Sequence, residues 1–443
     1  MSDSKQNVWA SGEVEFSHTP YSPFYKDEHQ IIYSSVLYNF QVPYEFTGWR
    51  DEALSWETSC YIHGNLNPTM TYTFQGSGAK ALLSKYCVNT FEKFPVGTGK
   101  HCFTCSEDGN ITADGVIIRN GEDLYTTYWM WTLMPAVLPD FDQYDVSFED
   151  ITARRALLQV GGPRSLEAIE KTFQQDLHDI KFNHVRTVEY KGYEVEVYRM
   201  GMAGTLAYEL HLPIEFSAEL YNDIYEAGKE FGIRRLGLRA YQMQHGMDGC
   251  TQFGQHYAVA GFVTPESIGG SMKDMGIDVY FHNPYETGQG FCVKFDHDFV
   301  GKEALLKIRD SAHRVMVSLE WNAEDVGDVY ASQCTDEPYQ GFEGPTQYST
   351  FGIPTCHDRV LNAAGELVGA STGRTYSPYY HRMISICYLE PEYAVEGTDL
   401  TLVWGDPGTR QKDIRVKVAR FPYFNENPNS KFDVETIPHP VFE

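Results

Sequence analysis

The chain has 443 residues, 42% of them hydrophobic and 14% aromatic, which is enough apolar material for two or three packed domains. A formal charge of −26, from 35 basic and 61 acidic residues, argues against non-specific nucleic-acid binding and leaves no basic membrane patch. The N-terminal text "MSDSKQNVWASGEVEF" has no apolar signal region, and no run approaches the ~18 apolar residues of a membrane span, so a soluble, cytoplasmic protein is expected.

In chain order, the first 45 residues are aromatic and loop-like, broken by Pro20, Pro23 and Pro43. "TMTYTFQG" and "LYTTYWMWTL" read as strands with a helix at "GAKALLSKYC". "ARRALLQVGGPRSLEAIEKTF" predicts a strand, a Gly-Gly-Pro turn and a helix begun near Ser165. "GYEVEVYRMGMAGTLAYELHLP" predicts two strands around a glycine-rich turn, and "FSAELYNDIYEAGKEFG" a helix stopped by Gly232. "RLGLRAYQMQHGMDG" reads as a turn into an irregular, glycine-punctuated segment. "NPYETGQGFCVKFDHDFVGKEALLKI" predicts a Gly-x-Gly turn, a strand and a helix. A boundary is expected near residue 310, followed by evenly spaced short strands of a small barrel or sandwich.

Nine cysteines, an odd number and scattered, suit reduced thiols. Cys102 and Cys105 form one C-x-x-C, but no second ligand pair stands at zinc spacing, and no metal is expected. Glu209 lies in a strand, where a carboxylate either faces solvent or offers two parallel oxygens to a ring with adjacent N–H donors. Gln159 precedes the Gly-Gly-Pro turn, and Asp114 sits in an Asp-Gly pair that is a hairpin signal first and a polar site second.

Taken together, "QVGGPRSLEAIEK", "GMAGTLAYEL", "LGLRAY" and "NPYETGQGFCVKFDHDFVGKEAL" resemble the T-protein (aminomethyltransferase) superfamily of tetrahydrofolate enzymes. The likeness is to its aryl ether branch, which includes O-demethylases of vanillate and syringate and a sesamin-metabolising enzyme. It implies an α+β cloverleaf: a folate-binding region of two interleaved α/β subdomains over 1–310, and a C-terminal β-barrel or jelly roll over 311–443. It further implies that Glu209 holds the pterin ring, that Asp114, Gln159, Arg239 and Tyr285 belong to the folate channel, and that tetrahydrofolate is the co-substrate.

Aminomethyltransferases typically carry Arg-Asp where this chain has Arg239-Ala240, followed by Tyr241. In the aryl demethylases the tyrosine is catalytic, which the chemistry supports. The leaving phenol and a tyrosine both have a pKa of about 10, so the acid is matched to its task and protonated at pH 7. The alternative for Tyr241 is a packed turn residue. His245 and His256 flank it and offer assistance in proton transfer or a structural role.

Demethylases of aromatic acids pair the substrate carboxylate with an arginine. Here that position falls near Trp129, in text with no basic residue. Burying a carboxylate without a cation costs several kcal/mol. A neutral aromatic substrate is therefore expected, flanked by Tyr38, Phe40, Trp129 and Trp131, with a methylenedioxyphenyl lignan of the sesamin type in first place. The alternatives are a methoxyarene O-demethylase acting on vanillate, syringate or guaiacol, a glycine-cleavage aminomethyltransferase, and a non-catalytic folate-binding protein. Oligomeric state is not legible.

Overall fold

The computed structural model describes residues 33–37, 40–201, 204–259, 265–347 and 355–442, with side chains from residue 42 onward. Tyr38 lies outside the described residues, and Phe40 is described as backbone only.

Three sheets organise the molecule. The first has six strands, and its centre is the site's platform: Tyr193–Tyr198, Ala207–Pro213, Arg155–Gly161 and Cys60–His63 lie side by side in that order. Their residues are buried nearly throughout, because helices Ser165–Phe173 and Ser217–Gly228 cover one face and the site lies on the other. The second sheet has five strands, with Thr98–Cys105, Ile111–Arg119 and Leu124–Tyr128 adjacent. The third is a closed barrel of six strands between Val315 and Ala419.

Helices expected at 78–87, near 165 and at 216–232 are observed at Ala79–Tyr86, Ser165–Phe173 and Ser217–Gly228. Two readings are corrected. The 235–249 stretch is a helix, Leu238–Asp248, with Gly249 in the left-handed conformation (φ 71°) just past its end. This helix is buried on every side except at Arg239, so it shows no amphipathic period. Its internal Gly246 allows close approach to the barrel: a Cβ there would lie 2.6 Å from Thr375 Oγ1. The strand expected after the Gly-x-Gly turn is absent among the described residues, where Gly290–Cys292 makes one 3₁₀ turn instead. The backbone there bonds to loop partners, such as Lys294 N–H to the Val88 carbonyl at 2.9 Å.

Beyond Ala419 the chain leaves the barrel and returns to the six-stranded sheet. Val434 and Ile437 join its core, Asn429 Nδ2 donates to the Ala207 carbonyl at 3.0 Å, and Arg199 donates to the Phe432 carbonyl at 2.7 Å. No helix among the described residues is long and apolar enough to cross a membrane.

Candidate functional site

A cavity of about 500 Å³ opens between the first two sheets and the Leu238–Asp248 helix. Glu209, Asp114, Trp129, Asp248 and Phe253 line it, with Lys100 and Lys294 toward Phe291. Phe291 is 70% exposed and marks the mouth.

Antiparallel register builds its floor. Glu209 stands opposite Gln159, and Gln159 opposite His63, so three polar side chains form one row across the sheet. His63 Nε2–H donates to Gln159 Oε1 at 2.6 Å, and Tyr61 Oη donates to the same oxygen at 3.3 Å. The Gln159 Nε2 group is left without a partner among the described residues. Glu209 Oε2 accepts from His211 Nε2 at 3.3 Å. The row ends on Tyr241, whose ring centroid is 4.7 Å from that of His63.

Tyr241 comes from the first turn of its helix and is 3% exposed. It shares one apolar cluster with Leu66, Tyr128 and Leu157, which line the cavity, and lies beside the cavity without lining it. Its hydroxyl has no partner among the described residues, and burial holds its pKa well above the usual tyrosine value. His245, one turn further on, meets the Tyr241 ring edge-on at 4.8 Å. His245 Nδ1–H donates to the Cys250 carbonyl at 3.0 Å, so its buried Nε2 carries a free lone pair. Burial lowers its pKa to about 4. His256 accepts from Gln252 N–H through Nδ1 at 3.1 Å, and burial lowers it to about 3. Both imidazoles are neutral at pH 7.

Asp114 holds a fixed orientation, accepting from Tyr257 Oη at 2.7 Å and pairing with His101 Nε2. Trp129 ends its strand in a left-handed conformation (φ 64°), strained for a bulky residue, and its ring meets Phe253 at 6.2 Å. Trp131 packs instead beside the core of the second sheet. Tyr285 packs in a satellite core with Phe295 nearby and does not line the cavity.

Arg239 requires a correction. It leaves the helix on the other side, pairs with Glu45 at 2.5 Å, covers the Tyr44 ring at 4.5 Å and faces a separate cavity of about 930 Å³ against the barrel. Being the helix's second residue, it cannot share the stripe on which Tyr241 lies.

Sequence reading missed His63, Asp248, Lys100 and Lys294. The first sits in a four-residue strand with no spacing signal, and the others converge only through the fold.

The family model described as the GCVT N-terminal domain matches residues 32–255. Sesamin methylene transferase of a Sinomonas species is 38% identical over 91% of this chain and 94% of its own length. Syringate O-demethylase of a Sphingobium species is 27% identical over 86% and 90%. The solved aminomethyltransferase T of the glycine cleavage system of Bartonella henselae, 15% identical, superposes with a TM-score of 0.67 over 90% of this chain and 96% of that one, which shows the fold. The match over residues 32–255 and a relative 38% identical over 91% of the chain show that this chain belongs to the GCVT family.

Proposed function

We propose that the protein transfers one carbon from a neutral aryl ether, in first place a methylenedioxyphenyl compound, to tetrahydrofolate. The observation that carries this reading is the row Glu209–Gln159–His63 ending on the buried phenol of Tyr241. Glu209 lines the cavity, and a carboxylate's two acceptor oxygens are the complement of the adjacent N–H donors of a 2-amino-4-oxopterin. Lys100 and Lys294, near the mouth, suit the carboxylates of a folate tail. Trp129 and Phe253 offer aromatic faces, and no arginine lines the cavity among the described residues, in keeping with a neutral aryl partner.

In this reading N5 of the folate attacks the ether carbon while Tyr241 supplies a proton to the departing oxygen. The hydroxyl's raised pKa keeps it a donor across the physiological range. Holding two flat reactants in line accounts for much of the rate. The relatives named for sesamin and for syringate support methylenedioxy and methoxy donors respectively, and the greater identity favours the first.

The test is product identification. The protein is incubated with tetrahydrofolate and either a benzodioxole lignan or a methoxyarene, and the folate is weighed by mass spectrometry. 5,10-Methylenetetrahydrofolate with a catechol supports the first donor; 5-methyltetrahydrofolate with a phenol supports the second. Turnover without folate overturns both.

A further inference from the structure

Tyr241, His245 and Asp248 occupy positions i, i+4 and i+7 of one helix, and so lie along one stripe of it. Each ends in a buried polar atom without a partner among the described residues: Tyr241 Oη, His245 Nε2 and Asp248 Oδ2. Asp248 is 8% exposed and lies in the wall shared by the folate cavity and an adjoining one of about 370 Å³. Its other oxygen accepts from Cys250 N–H at 2.9 Å, and no cation pairs with it among the described residues. The backbone of Gly204 closes over it, since a Cβ there would come within 2.5 Å of the Asp248 Cβ. An unpaired carboxyl in such a place costs several kcal/mol unless it carries a proton. Burial accordingly holds its pKa well above the usual carboxylate range.

We propose that Asp248 is the second proton-handling residue of the reaction, serving the second carbon–oxygen cleavage that a methylenedioxy donor requires and a methoxy donor does not. This rests on the function proposed above. The balance is as follows. Formation of the N5–CH₂ bond breaks the first C–O bond, whose electron pair stays on oxygen. That oxygen takes the Tyr241 proton, and the N5 proton restores the phenol. The N5 lone pair then forms N5=CH₂⁺, breaking the second C–O bond. The second oxygen takes the Asp248 proton, and the catechol is complete. N10 adds to the iminium carbon, and the proton it sheds returns to the Asp248 carboxylate. Two protons pass from folate nitrogens to aryl oxygens, and no oxidant or reductant enters.

The test uses D248N, D248A and the native protein with a benzodioxole lignan and tetrahydrofolate. The native protein must first release catechol; if it does not, the proposed function fails before this inference is reached. In D248N, which keeps the shape but not the transferable proton, catechol release is expected to fall about 100-fold. Tetrahydrofolate affinity should stay within about threefold of native, and the N5–CH₂–O–aryl adduct should accumulate in quenched single turnovers. In D248A, formate is expected to restore catechol release about tenfold, and formamide not at all. Native-like catechol release in a folded D248N overturns the proposal. So does a loss without adduct, or a loss that merely tracks folate affinity. Should D248N fail to fold, formate rescue of D248A decides, and its absence overturns the proposal.

Discussion

Glu209 and Gln159 stand directly opposite each other on antiparallel strands, and the same register sets Gln159 opposite His63. Sheet geometry thus fixes the spacing of the proposed pterin contacts before any ligand arrives. Replacing Glu209 by Gln keeps the shape but exchanges one charged acceptor for a donor. Tetrahydrofolate Kd is expected to rise about 10- to 100-fold, the worth of about 1.5–3 kcal/mol of charge-assisted bonding. Calorimetric titration checks this, and an unchanged Kd refutes the role given to Glu209.

Y241F removes a buried hydroxyl that has no partner among the described residues. Stability is expected to hold or rise slightly, because the phenol is desolvated without compensation. Carbon transfer is expected to fall about 10²- to 10⁴-fold at unchanged tetrahydrofolate affinity. Thermal unfolding and a product assay on the same sample separate the two effects. Full activity in the variant would remove the acid from the mechanism.

Lys100 is partly desolvated, which lowers its pKa, and its ammonium donates to the Thr90 carbonyl at 2.6 Å near the cavity mouth. K100A and K294A are each expected to weaken tetrahydrofolate about tenfold and to flatten the salt dependence of binding. A reduced pterin lacking the glutamate tail should bind native and variants alike. Equal losses for both ligands would place the lysines elsewhere in the site's chemistry.

Arg239 pairs with Glu45, which is 4% exposed. R239A strands that carboxylate and is expected to cost about 2–3 kcal/mol. That is below the loss for a fully buried pair, since the guanidinium is partly exposed. Folate affinity should not change, because the side chain faces the other cavity. A selective loss of folate binding in a stable R239A protein would contradict this placement.

His63, His245 and His256 are buried, and burial lowers their pKa values to about 4, 4 and 3. Folded values below the unfolded 6.5 mean that the unfolded chain binds more protons in acid. Their stabilisation is complete above pH 6.5 and is lost as pH falls toward 4. H256Q removes one such group. Its stability should fall less steeply over that window, by about 1.4 kcal/mol per pH unit where one proton is at stake. Denaturant titrations at stepped pH measure the slopes, and identical slopes would show that His256 does not titrate on unfolding.

Much of this architecture was legible in the chain. Amphipathic helices such as Ser165–Phe173 announce themselves because one face meets a sheet and the other meets water. The barrel strands did so through regular spacing. The Leu238–Asp248 helix was read as a turn because burial on nearly all sides erases periodicity, and its polar Gln, His and Asp side chains imitate a loop. Arg239 was assigned to the folate channel from the family motif it falls in, although a helix turns residues two apart to different sides, so Arg239 and Tyr241 face apart. Asp248 and His63 could not be found by spacing, since their roles arise from contacts between separate elements.

The return of the last residues to the first sheet has a consequence for how the protein is made. Val434 and Ile437 seal a core whose other members are drawn largely from residues 46–233, so this core stays open until the segment beyond the barrel has been translated. Apolar surface on the nascent N-terminal half must wait through synthesis of the whole barrel, a long interval in which a chaperone would find its binding site. A stop codon just after Ala419 would leave the barrel strands complete and the core of the six-stranded sheet unsealed.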